Sequence, residues 1–158
     1  GQAVGRLAEA FGMRVLVGAL PGREREARPA LEQFLPEIDV LSLHCPLTEA
    51  TRDLIGAPEL ALMKPGSLVI NAGRGGLVNE AALAEALRSG HLGGAACDVL
   101  TVEPPVDGNP LLDADVPNLV ITPHSAWGSR EARQRIVGQL LDNLLGFISG
   151  QITRQVGI

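Results

Sequence analysis

The sequence predicts an α/β fold, a doubly wound parallel sheet, on three observations. Short continuous Val/Ile/Leu runs such as VLSL at Val40–Leu43 and SLVI at 67–70 are what strands buried on both faces look like. They alternate with amphipathic segments of helical period, and glycine, proline or asparagine marks nearly every change.

The first element is a helix: residues 2–11 carry apolar positions at helical spacing and stop at Gly12, which suits the position just past a helix. A strand is predicted at 14–17, then a helix at 29–34 with Pro29 in its first turn, and then the strand Val40–Leu43. Residues 58–63 read as a short helix and 67–70 as a strand. The next helix spans 79–89, with Asn79 as N-cap, Glu80 in the first turn, Arg88 in the last and Gly90 just beyond. Strands at 95–99 and 119–122 flank a Pro- and Gly-rich loop. Ser129 then caps a long helix whose Ile136, Val137, Leu140, Leu141, Leu144, Leu145 and Ile148 recur at helical period.

The chain has 158 residues, 46% of them hydrophobic and 20% charged, enough for one domain with a sizeable core built from Leu, Val, Ile and Ala. A net charge of −5, with both signs scattered, offers no basic footprint for nucleic acid or an anionic membrane. No apolar run reaches the roughly 18 residues of a membrane span, so a cytoplasmic protein is expected. Cys45 and Cys97 have neither metal-ligand nor disulfide spacing and read as small, reduced, buried residues; no metal is expected.

A helix that comes directly after Gly1 reads as a fold truncated at its N-terminus, with an earlier strand and most of a glycine loop cut away. In the dinucleotide fingerprint G-x-G-x-x-G the third glycine opens a helix and packs it against the first strand, and Gly1 fits that place.

Ligands of open α/β sheets gather outside the carboxyl ends of the strands. Arg74 lies just past the strand at 67–70, Glu103 a few residues past 95–99, and His124 directly past 119–122. Arg offers a planar two-bond grip on a carboxylate, and a carboxylate beside an imidazole favours the protonated ring, an acid for a carbonyl oxygen. No convincing nucleophile accompanies them: Ser125 lacks the sharp G-x-S-x-G elbow, and Cys45 has only its neighbour His44. The missing reagent then comes from a cofactor, most economically hydride from a nicotinamide. Gly73, Gly75 and Gly76 let the chain around Arg74 approach a ligand closely.

The segments NAGRGGLVNE, AACDVLTVEPP and ITPHSAWGS, in this order and spacing, resemble the signatures of the D-isomer-specific 2-hydroxyacid dehydrogenases. DVLSLHCPLTEATRDLIG and LALMKPGSLVINAGRG extend the resemblance over nearly the whole chain. It implies a Rossmann-like fold, with an NAD(P)-binding domain at 1–150 and a tail at 151–158 that returns to a substrate domain. It implies that Arg74 binds the substrate, His124 is the acid/base and Glu103 is its paired carboxylate. Asp98 would contact the nicotinamide carboxamide, while Gly1, Cys45, Pro46, Ala72, Gly73 and Ala126, with Arg74 and His124, line the cofactor. Within the family, His124 succeeded by Ser125, Ala126 and Trp127 is most similar to the glycerate dehydrogenase and hydroxypyruvate reductase branch. The implied partner is a small 2-keto or 2-hydroxy acid, hydroxypyruvate or glyoxylate; a homodimer is a candidate assembly, and the oligomeric state stays open.

Two features depart from the family pattern. The acidic residue that ends the second strand in NAD-preferring members is absent from Val15–Leu20, and Arg23 and Arg25 come next in PGRER; an arginine there pairs with the extra phosphate of NADP, so NADPH is weakly preferred over NADH. The chain is also about half the length of family members and lacks the segments that would build the substrate domain. Two other readings stand beside the dehydrogenase: a non-catalytic dinucleotide-sensing binding module and an inactive fragment.

Overall fold

The structure, a computed structural model, describes residues 1–21 and 28–152. In chain order these form α1 (Gln2–Ala10), α2 (Leu31–Phe34), β1 (Val40–Leu43), α3 (Ala57–Leu62), β2 (Leu68–Asn71), α4 (Glu80–Arg88), β3 (Gly94–Cys97), β4 (Leu119–Ile121) and α5 (Arg130–Ile148). Two compact units, Gly1–Pro123 and His124–Ile158, divide the chain, the sheet lying in the first and α5 in the second.

All four strands pair in parallel, in the order β1-β2-β3-β4. Their register aligns Leu41 with Val69 and Ala95, and Leu43 with Asn71 and Cys97, so one row of side chains faces one way. That row is buried, and its apolar members join Leu60 of α3 and Leu83, Ala84 and Leu87 of α4 in the hydrophobic core. Leu35, Ile55, Leu77 and Leu83 have no exposed surface, and burying such a side chain stabilises the fold by about 1.5–3 kcal/mol. Leu68 and Ile70 belong to the opposite face, the one away from α3 and α4.

The helix ends obey the local signals. Asn79 Oδ1 accepts the Ala82 N–H at 3.0 Å and Ser129 Oγ accepts that of Ala132 at 3.1 Å, each satisfying a donor that the first turn leaves orphaned. Gly12 and Gly90 take positive φ just past α1 and α4.

Two expectations are corrected. Residues 14–17 form no strand: a strand exists only as a rung in a ladder, and none of the described strands pairs with this segment. Leu16 still packs against the core, and Ala19 donates its N–H to the Pro29 carbonyl at 2.9 Å. That bond occupies the Pro29 carbonyl, and Ala30 is the extended N-cap, so the predicted helix at 29–34 begins only at Leu31.

Candidate active site

The carboxyl ends of β1, β2 and β3 bring together residues that are far apart in sequence. Asn71, the last residue of β2 and almost fully buried, uses both ends of its amide on the adjoining loop. Its Oδ1 accepts the Gly73 N–H at 3.1 Å, and its Nδ2 donates to the Arg74 carbonyl at 2.9 Å. A buried amide satisfied in this way holds a tight loop rigid. The guanidinium of Arg74 is exposed, and its Nη1 donates to the Gly73 carbonyl at 2.7 Å, which uses one of its five N–H donors.

Each glycine here has its own reason. A Cβ on Gly75 would lie 1.9 Å from the Leu100 carbonyl oxygen, so the Arg74 loop rests backbone to backbone on the segment leading to Glu103. Gly76 takes φ +81°, a left-handed conformation that glycine adopts without steric cost. A Cβ on Gly73 would lie 3.3 Å from the Leu43 carbonyl, and one on Gly1 3.2 Å from His44 Cβ. Gly1 and Gly73 therefore both lie at the end of β1, beside the His44, Cys45 and Pro46 segment, where bare backbone suits a ligand that needs close approach. The residues present fit a dinucleotide in that respect.

Past β3, Asp98 is buried, its backbone N–H donates to the Asn71 carbonyl at 2.9 Å, and its Oδ1 accepts the Thr122 hydroxyl at 2.5 Å. It is fixed at the junction of β2, β3 and the end of β4. Glu103 is exposed, and its Oε1 accepts the Leu100 N–H at 2.7 Å. Burial raises both thiols, Cys97 to about 11, with Glu80 adding to the shift; both cysteines are thus protonated at neutral pH, unlike an activated nucleophile. Among the described residues no cluster of His, Cys, Asp and Glu is able to hold a metal ion, and no helix is long and apolar enough to cross a membrane.

His124 and Ala126 belong to the second unit. There His124 has φ +50°, uncommon for a residue with a side chain, and its carbonyl accepts the Trp127 indole N–H at 2.9 Å. The Gly128 N–H closes the next turn on the Ser125 carbonyl at 2.8 Å. Arg23 and Arg25 lie outside the described residues. Sequence reasoning missed Asn71 and Thr122 and gave Glu80 only a helix-end role. A polar residue closing the apolar run VIN was a usable signal for Asn71; nothing local pointed to the other two.

A parallel α/β sheet with glycine-bared loops and a cation, a carboxylate and a buried aspartate past its strand ends defines the nucleotide-binding class of α/β domain. Residues 1–126 match the model of the "D-isomer specific 2-hydroxyacid dehydrogenase, NAD binding domain", and the chain belongs to that family. A glycerate dehydrogenase of Methylorubrum extorquens is 48% identical over 151 residues, 96% of this chain and 48% of the relative. A glyoxylate reductase of Aeropyrum pernix is 40% identical, over 96% of this chain and 47% of the relative. The crystal structure of the TT0316 protein from Thermus thermophilus superposes with a TM-score of 0.83 at 42% identity, covering all of this chain and 50% of that one. The chain thus spans about half the length of the relatives it matches.

Proposed function

We propose that this chain carries the NAD(P)-binding portion of a reductase that converts a small 2-keto acid, hydroxypyruvate or glyoxylate, into the corresponding 2-hydroxy acid. The observation that carries the reading is the seating of the Arg74 loop directly on the segment that leads to Glu103, Gly75 against Leu100, at the carboxyl ends of β2 and β3. The names of the glycerate dehydrogenase and glyoxylate reductase relatives support the substrate class.

When bound, the nicotinamide supplies hydride to the keto carbon. Arg74 grips the substrate carboxylate through its two-bond fork and thereby orients the carbonyl. His124 gives its proton to the carbonyl oxygen, which becomes the hydroxyl, and Glu103 is the carboxylate that the family resemblance pairs with it. Asp98 would hold the carboxamide of the nicotinamide, and the backbone of Gly1, Cys45, Pro46, Ala72, Gly73 and Ala126 would line the dinucleotide. Residues 1–150 act as the cofactor domain, and 151–158 as a tail toward a substrate domain.

The test is oxidation of NADPH and of NADH by the protein at its full encoded length, with hydroxypyruvate and with glyoxylate. Turnover with either acid is expected. Tight coenzyme binding without turnover of any 2-keto acid would replace the reading with that of a dinucleotide-sensing module. NADPH is the weakly preferred coenzyme, on Arg23. Arg23→Ala is then expected to weaken NADPH by about tenfold, the loss of one charge-assisted hydrogen bond, with NADH changed far less. Titration with both coenzymes checks this, and an equal effect on the two removes Arg23 from the coenzyme site.

A further inference from the structure

The first turn of α4 holds a carboxylate whose reach goes well beyond its helix. Glu80, half-buried directly after the N-cap Asn79, accepts the Thr101 N–H on Oε1 at 2.7 Å and the Asn109 amide N–H on Oε2 at 2.7 Å. Asn109 is oriented for this, because its Oδ1 accepts the Leu111 N–H at 2.9 Å. One carboxylate thus ties down both ends of the segment that carries Glu103. An acid favouring the helix N-terminus electrostatically needs no such partners, since any first-turn carboxylate serves. Two short bonds to a charged acceptor are the stronger kind.

We propose that Glu80 is a positioning residue for the reduction: through Thr101 and Asn109 it clasps the 101–109 segment and sets the place of Glu103. The inference rests on the role proposed for Glu103 above. The Gly75 contact fixes Leu100 against the Arg74 loop, and the Glu80 clasp fixes the chain from Thr101 onward, so the cation and the carboxylate share one rigid frame. Glu80 itself takes no part in proton or hydride transfer.

The experiment uses Glu80→Gln, Asn109→Asp and the double variant in the full-length protein. Gln presents one oxygen where Glu presents two, so one contact becomes donor against donor. Turning the Asn109 amide to relieve it forfeits the Leu111 bond. Glu80→Gln is expected to lower kcat for keto-acid reduction by about tenfold or more, a share of the roughly 10²–10⁴-fold that acid catalysis provides, with coenzyme affinity unchanged. Asn109→Asp alone sets carboxylate against carboxylate and is expected to lower kcat as well. Combined with Glu80→Gln it restores a donor–acceptor pair, and kcat recovers toward the parent value. Amide hydrogen exchange gives a readout independent of turnover: Glu80→Gln leaves either Thr101 or Leu111 without its acceptor, so exchange should speed at one of the two while β2 and β3 stay protected.

Unchanged kcat in Glu80→Gln, or no recovery in the double variant, overturns the proposal. Unchanged exchange at both Thr101 and Leu111 overturns the clasp itself. A parent protein that turns over no 2-keto acid, with exchange at Thr101 or Leu111 still accelerated in Glu80→Gln, refutes the reductase reading and with it the catalytic meaning of the clasp, leaving only a loop anchor.

Discussion

His124→Asn is expected to lower kcat for the proposed 2-keto acid reduction by about 10²–10⁴-fold, the range that a positioned acid contributes, and to leave coenzyme affinity within about twofold. Asn is the informative substitution because His124 stands at φ +50°. Asn enters this left-handed region far more readily than Ala, so the backbone keeps its place while the proton donor is lost. His124→Ala removes the same proton but adds backbone strain, so its stability should fall below that of His124→Asn even if both are equally inactive. Steady-state kinetics with hydroxypyruvate, beside a fluorescence titration of the coenzyme, separates the two effects. Turnover that survives in His124→Asn shows that the proton comes from elsewhere.

The second large effect is expected at Gly75→Ala. Its new Cβ would lie 1.9 Å from the Leu100 carbonyl oxygen, 2.2 Å from the carbonyl carbon and 2.6 Å from the Thr101 nitrogen. All three are backbone atoms, so no change of rotamer relieves the clash and one of the two loops must move. Such overpacking costs about 1–3 kcal/mol, which denaturant unfolding would register. A displacement near 1 Å between Arg74 and the Glu103 segment should lower kcat/KM about 10²-fold in protein that is otherwise folded. Gly73→Ala is the graded comparison: its Cβ would meet the Leu43 carbonyl at 3.3 Å, so a small adjustment suffices and the loss should be smaller. If Gly75→Ala is as active as the parent, the two loops are not held in register by this contact.

Much of the candidate site was legible because its residues are placed by the strand ends that precede them in the chain. The strands at Val40–Leu43, Leu68–Asn71, Gly94–Cys97 and Leu119–Ile121 stand close to the runs that composition and period marked, and the candidate residues come soon after their carboxyl ends in the sequence. Asn79 and Ser129 bond as N-caps because a cap is settled within three residues. Glu80 was legible only as a first-turn acid, since its partners lie 21 and 29 residues further on.

The sequence by itself determined the alternation of strands and helices, their caps and the strand ends to which Arg74, Glu103 and His124 belong. These depend on side-chain period and on bonds between near neighbours. Only the tertiary structure decided that residues 14–17 join no ladder, that Asn71 locks the Arg74 loop, that Gly75 leaves room for Leu100 and that Glu80 ties Thr101 to Asn109. Each depends on which distant backbone lies alongside, and that is set by the packing of the whole core.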